Sequence, residues 1–240
     1  VIVLDEKEYR DYMKKIRKQS PEQIDEHITR MSKFEQFLEK NYGKNADDAS
    51  LEELFSYIKI FDNESDEIYK LHNYSIYNYY RCMFNQYFSD ELEKYYCERT
   101  GQERRIFQIK KFKGVNKTNL KKLSEFGLIT IEDIHKATDT QEKRNALASQ
   151  TNIQPDWILK ITKLCDLARI AGLKGTRSVL YYDAGVDTLE KIATWDPVKL
   201  REHFIEFCET TNYQGAKPPT QKECDNHVKI AKQLPKIIEF

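Results

Sequence analysis

The chain has 240 residues, with 39 Lys and Arg against 39 Asp and Glu, so its formal net charge is zero; 40% of its side chains are hydrophobic and 12% aromatic. That is material for one or two domains with cores of ordinary size, and the longest apolar runs, residues 1–4 and 179–182, fall far short of the ~18 residues that cross a bilayer, which excludes a transmembrane helix and gives no reason to expect a membrane partner. Five scattered Cys exclude a disulfide scaffold, and with no export signal opening the chain they point to a reducing, cytoplasmic compartment.

Only eight Gly and six Pro, against abundant Glu, Lys, Leu and Ile, predict an all-α chain of roughly a dozen helices. Ser20-Pro21-Glu22-Gln23 offers a hydroxyl cap, a proline at the first helical position and a glutamine at the third. Behind it Ile24, Ile28, Met31, Phe34, Leu38 and Tyr42 recur at steps of three or four. Ser50 and Glu53 form a second capping box ahead of Leu51, Leu54, Phe55 and Ile58, and residues 41–49 and 62–66 read as loops. Residues 69–96 hold eight Tyr and two Phe; the helical spacing of Ile76, Tyr80, Met83 and Tyr87, with Phe84 and Phe88, makes them core rather than a stacking platform for bases. After the junction at Arg99-Thr100-Gly101, helical stretches are predicted over residues 103–112 and 157–170. Asp196-Pro197 and the pair Thr220 and Glu223 start the last helices, with a loop over 212–219. The reading is a helical bundle over 1–100 and a second domain over 104–240.

Charge is unevenly spread. Residues 1–100 carry 15 Lys and Arg against 21 Asp and Glu, and the last 115 residues balance at 16 against 16. Between them, residues 101–125 carry eight cations, Arg104, Arg105, Lys110, Lys111, Lys113, Lys117, Lys121 and Lys122, against Glu103 and Glu125. A near-neutral pI of about 7.1 hides this basic stretch, a local footprint that suits an anionic partner or else a solvated helix face.

The most specific feature is a repeat. Residues 112–134 match 170–192 without a gap at an offset of 58, pairing Gly114 with Gly172, Val115 with Leu173, Gly127 with Gly185, Thr130 with Thr188 and Ile134 with Ile192. Each copy keeps two glycines thirteen residues apart, which predicts a tight turn, a helix of about ten residues and a left-handed glycine closing it. Thr130 and Thr188 then cap the following helices. With the stretches over 103–112 and 157–170 in front, each unit reads as helix, short turn, helix.

These residues make each copy similar to the helix-hairpin-helix motif, whose pattern is an apolar residue, Gly, apolar, Gly, a helix, then Gly-apolar-x-Thr. The stretch 107–235 further resembles a family of microbial domains of unknown function built from such tandem hairpins, in LASQTNIQPDWILKITKLCDLARIAGLKG and AGVDTLEKIATWDPVKL. The helix-hairpin-helix resemblance implies binding of duplex DNA through its phosphates, by turn amides, a helix N-terminus and nearby cations. Carried over by position, the first turn contributes Gly114, Asn116, Lys117 and Thr118, flanked by Lys113, Lys121 and Lys122. The second contributes Gly172, Lys174, Gly175, Thr176 and Arg177. Both depart from the pattern at its second glycine, which is Asn116 in one and Lys174 in the other. Asn tolerates a positive φ there and Gly175 can take the turn in place of Lys174, so the first turn is the stronger candidate. Residues 5–100 resemble the N-terminal core-binding helical domain of tyrosine recombinases, in SPEQIDEHITRMSKFEQFLEKNYG, DDASLEELFSYIKIF and SIYNYYRCMFNQYFSD.

Catalysis is not expected. The catalytic half of a recombinase is missing, His27-Ile28-Thr29-Arg30 stands alone inside a helix, and no phosphate-loop, dinucleotide or nucleophile-elbow motif occurs. No cofactor is implied. His203, Cys208, Cys224 and His227 have the residue types of a zinc set, but His203 and Cys208 are five apart on a helix where ligands sharing a face stand three or four apart, so no metal site is expected. The expected function is sequence-independent nucleic-acid binding. Its competitor is a protein-interaction or scaffold module whose turns only pack helices.

Overall fold

The computed structural model describes residues 6–240; the apolar run at 1–4 lies outside the described residues. Among the described residues there are thirteen α-helices and no strand, so the fold is all-α. The chain divides into two compact units, one ending at Arg104 and one spanning Arg105–Phe240.

The first unit consists of α1 (Glu6–Lys15), α2 (Pro21–Tyr42), α3 (Leu51–Ile58), α4 (Asp66–Cys82) and α5 (Gln86–Thr100). Ser20 with Gln23 and Ser50 with Glu53 close full capping boxes, each side chain bonding the other residue's amide, which satisfies donors that a helix end leaves open. The stripe behind Ser20 faces inward up to Leu38: Ile24, Met31, Phe34 and Leu38 are buried with Tyr9, Leu54, Ile58, Ile76 and Leu92, Ile28 is half-buried, and Tyr42 at its end is exposed. Tyrosines fill this core, and three of their hydroxyls reach polar partners across it, Tyr9 donating to the Ser75 carbonyl (3.0 Å), Tyr80 to the Ala46 carbonyl (2.9 Å) and Tyr79 to Asp47 (2.8 Å). The predicted helical spacing does not run unbroken through residues 76–88. α4 stops at Cys82, Phe84 takes a left-handed φ of 54°, and Asn85 caps α5 through the Phe88 amide. His27 is buried with its Nδ1 2.8 Å from Ser75 Oγ, and Arg30 pairs with Glu26, so both are engaged within the bundle.

The second unit holds α6 (Lys117–Glu125), α7 (Ile131–Thr138), α8 (Gln141–Thr151), α9 (Pro155–Leu167), α10 (Thr176–Asp183), α11 (Leu189–Thr194), α12 (Pro197–Thr210) and α13 (Gln221–Gln233). The two copies of the repeat are α6–α7 and α10–α11. Gly127 and Gly185 have φ of 78° and 79°, and behind them the Leu128 amide reaches the Leu123 carbonyl and the Val186 amide the Tyr181 carbonyl, both at 3.0 Å. This is the same left-handed helix closure twice, at positions where a side chain would strain the backbone. Thr130 and Thr188 cap α7 and α11 through the amides of Asp133 and Lys191.

The helix predicted over 103–112 does not form. Only a 3-10 turn at Ile109–Lys111 interrupts an extended segment, whose Phe107 carbonyl accepts from the Ile131 amide (3.0 Å) while the Ile109 amide donates to the Ile129 carbonyl (2.9 Å). Bonds to the α6–α7 connection replace the intrahelical ones and seat Ile109 fully inside. The first copy is therefore extended segment, turn, helix; only the second, behind α9, is helix, turn, helix.

Each copy has its own core, one around Ile109, Leu120, Leu123 and Ile134, the other around Leu180, Tyr181, Ile192 and Phe204. α9 joins them, placing Ile158, Ile161 and Leu164 in the first and Leu167 in the second. Past α13 the chain returns across α8, where Arg144 donates to the Glu239 carbonyl (2.7 Å) and the Glu239 amide to the Asp139 carbonyl (2.8 Å).

Candidate functional site

The turns that open the two copies lie against each other. A β-carbon on Gly175 would stand 3.7 Å from the Lys111 carbonyl oxygen, and one on Gly114 would stand 3.8 Å from Val179 Cγ1. The segment 111–114 thus packs beside 175–179, although the two are far apart in the chain.

The first turn has Gly114 at φ 78°, but Asn116 does not follow it into the left-handed region. Its φ is −64°, and its side chain caps α6, Oδ1 accepting from the amides of Thr118 (2.9 Å) and Asn119 (3.2 Å). Asn at the N-cap satisfies two donors that the phosphate reading assigned to a ligand. Lys122 is half-buried and bonded to the carbonyl of Asn152 (3.3 Å), the residue ending α8, where a cation suits the negative end of the helix. Lys113, Lys117 and Lys121 are exposed, and among the described residues none of them forms an ion pair. Lys117 and Lys121 stand four apart on α6 and so share a face.

The second turn is built differently. Gly172 (φ 95°) and Gly175 (φ 70°) both take positive φ, and Lys174 does not. Gly175, with ψ −118°, is the N-cap of α10 and has no side chain to offer its first amides, so this end carries no side-chain cap. Behind the turn, Ser178 Oγ donates to the Leu173 carbonyl, and a β-carbon on Gly172 would lie 3.2 Å from His227 Nε2. Lys174 is exposed and without an ion pair among the described residues, whereas Arg177 is held by Glu223 at 3.2 Å. The first turn supplies most of the exposed, unpaired cations, and the second the helix end without a side-chain cap.

A family model for a domain of unknown function, DUF4332, matches residues 113–234. The chain belongs to the DUF4332 family. No curated protein and no solved structure matches it. Among the described residues no helix is long and apolar enough to cross a membrane.

The four zinc-type residues fall within the DUF4332 segment; three of them are engaged elsewhere or buried, and Cys208 is half-buried. His203 Nε2 lies 2.8 Å from the Ala184 carbonyl, His227 Nδ1 lies 2.8 Å from the Tyr181 hydroxyl, and burial pushes the Cys224 thiol up to about 11, away from the thiolate that zinc takes. Burial raises the Cys208 thiol as well. Among the described residues no three His, Cys, Asp or Glu side chains gather as a metal would need.

Sequence reasoning missed Glu223, read only as the third residue of a capping box. Its carboxylate does accept the Thr220 amide (2.7 Å), but it also faces Arg177. Nothing local signals that contact, because 46 residues separate the partners.

Proposed function

We propose that the DUF4332 domain binds nucleic acid, duplex DNA before other forms, through the phosphate backbone, with little sequence preference and no catalysis. The observation that carries this reading is the juxtaposition of the two glycine turns, in a stretch of chain whose Lys113, Lys117, Lys121 and Lys174 are exposed and, among the described residues, unpaired. The likeness of both copies to helix-hairpin-helix motifs supports the same reading. The lysines attract the polyanion and displace its counterions, and the open amides at the start of α10 donate to a phosphate oxygen. The two copies divide the work: α6 brings charge on a helix end already closed by Asn116, and α10 brings amides. The reading assigns no side chain to a base edge, so affinity rests on charge and backbone geometry. The first unit, acidic through residue 100 by 21 carboxylates to 15 cations, receives no phosphate contact.

One observation favours a protein-interaction module instead. Phe126 and Ile129, at the bend between α6 and α7, are 52% and 45% exposed. Titration of a labelled duplex at several salt concentrations separates the two. If the four lysines neutralise about four phosphates, log K falls against log salt with a slope of roughly −3.6, so a fourfold rise in salt costs on the order of a hundredfold in affinity. Absence of binding to duplex or single-stranded DNA or RNA at about 20 mM salt, where polyanion binding is strongest, rejects the proposal and leaves the interaction module.

A further inference from the structure

Arg177 sits where helix energetics do not favour it. It is the second residue of α10, in the first turn, at an end whose amides carry partial positive charge and lack a cap. A cation there opposes the helix dipole. The group that holds it, Glu223 at the start of α13, is already well bonded: its Oε2 accepts the Thr220 amide at 2.7 Å and the Thr220 hydroxyl at 3.0 Å. Arg177 adds only long contacts from one nitrogen, Nη2 to Oε1 at 3.2 Å and to Oε2 at 3.4 Å, rather than the two-nitrogen fork that makes arginine–carboxylate pairs strong. Its other terminal nitrogen, Nη1, is buried without a partner. The side chains are 25% and 39% exposed, a setting in which an ion pair holds weakly.

Resting on the phosphate-binding reading above, we infer that Glu223 is an internal competitor for Arg177: it stands in for a phosphate in the free protein, and Arg177 leaves it for the backbone when nucleic acid binds at the second turn. The exchange gives the guanidinium the two-point contact that Glu223 withholds, and it places a cation beside the open amides of α10. Glu223 loses little, since Thr220 continues to satisfy it. The carboxylate therefore lowers the affinity of the second turn and keeps its contribution to the salt slope small.

Glu223→Gln tests this while keeping the cap, because glutamine at the same helix position already serves α2, where Gln23 closes the box with Ser20. Wild type, E223Q, R177Q and the double variant are titrated with the same duplex, with melting curves to confirm folding. E223Q is expected to bind more tightly and with a steeper slope. Full use of the Arg177 contact, which Glu223 allows only in part, steepens it by up to about 0.9, so the ratio of E223Q to wild-type affinity changes by up to roughly 3.5-fold when salt changes fourfold. R177Q is expected to weaken binding, and the gain from E223Q is expected to vanish in its background. Binding by the wild type with an unchanged E223Q, or a gain that survives in the double variant as a mere net-charge effect, overturns the role of Glu223 and leaves the phosphate reading standing. If no variant binds at about 20 mM salt, both fall together.

Discussion

Gly175 stands over the carbonyl of Lys111, so close that an added β-carbon would lie 3.7 Å from the oxygen. The space is adequate, but the backbone is not: φ 70° with ψ −118° is a conformation that side chains rarely enter. Gly175→Ala is therefore expected to destabilise the domain by about 1–3 kcal/mol, through strain rather than collision. A melt compared with Lys174→Ala, an exposed neighbour with ordinary φ, checks this. Equal melting temperatures in the two variants would mean that the turn relaxes without cost.

Acid sensitivity follows from four buried histidines, His27 and His72 in the first unit and His135 and His227 in the second. Burial pushes each imidazole from the usual 6.5 down to about 4. Between those values the unfolded chain binds more protons than the folded one, so stability is complete above about pH 6.5 and is lost as pH falls toward 4. At pH 5 the loss is on the order of 1–2 kcal/mol per histidine. The melting temperature should drop between pH 7 and pH 5, and His27→Gln or His227→Gln should flatten the drop in its own unit. A flat profile over that range would mean that these rings are hydrated or paired when charged.

What could be read beforehand was the chemistry that closes on itself within a few residues. Ser20 with Gln23, Thr130 with Asp133 and, behind Gly127, Leu128 with Leu123 are partners three to five positions apart, so cap and turn residues announce them, and the repeat doubled the signal for Thr188 and Gly185. Asn116 was harder, because asparagine suits both a left-handed turn and an N-cap, and only the bond from its Oδ1 to Thr118 and Asn119 decides between them. Residues 103–112 misled for a different reason. Their charges and apolar positions fit a helix, but Phe107 and Ile109 bond to Ile131 and Ile129, partners that helical periodicity does not represent. The neighbouring of Lys111 with Gly175, and of Arg177 with Glu223, is likewise tertiary.

A chelator should leave the melting temperature unchanged. The Tyr181 hydroxyl holds His227, the Ala184 carbonyl holds His203, and Cys224 is buried as a thiol. A structural zinc ion contributes folding free energy outright, so its removal would lower the melting temperature by many degrees and release metal in proportion to protein. That result would demand a rearrangement of α12 and α13, since both rings would have to exchange their present partners for the metal.

The lysine variants test the division of work between the two turns. Lys117 and Lys121 share one face of α6 and are exposed, and neither forms an ion pair among the described residues, so removing both should hardly touch stability. On binding, Lys117→Ala with Lys121→Ala should weaken affinity for every duplex alike and flatten the salt slope by about 1.8, two contacts at roughly 0.9 each. Lys174→Ala removes a single cation and should flatten it by about 0.9. Lys113 and the amides of α10, which carry no net charge to titrate, remain after all three substitutions, so what is left should be binding with a slope of about −0.9 rather than none. A double variant that loses affinity on one sequence and keeps it on another would show base reading in place of phosphate positioning. Slopes that stay at the wild-type value would place the contact surface away from α6.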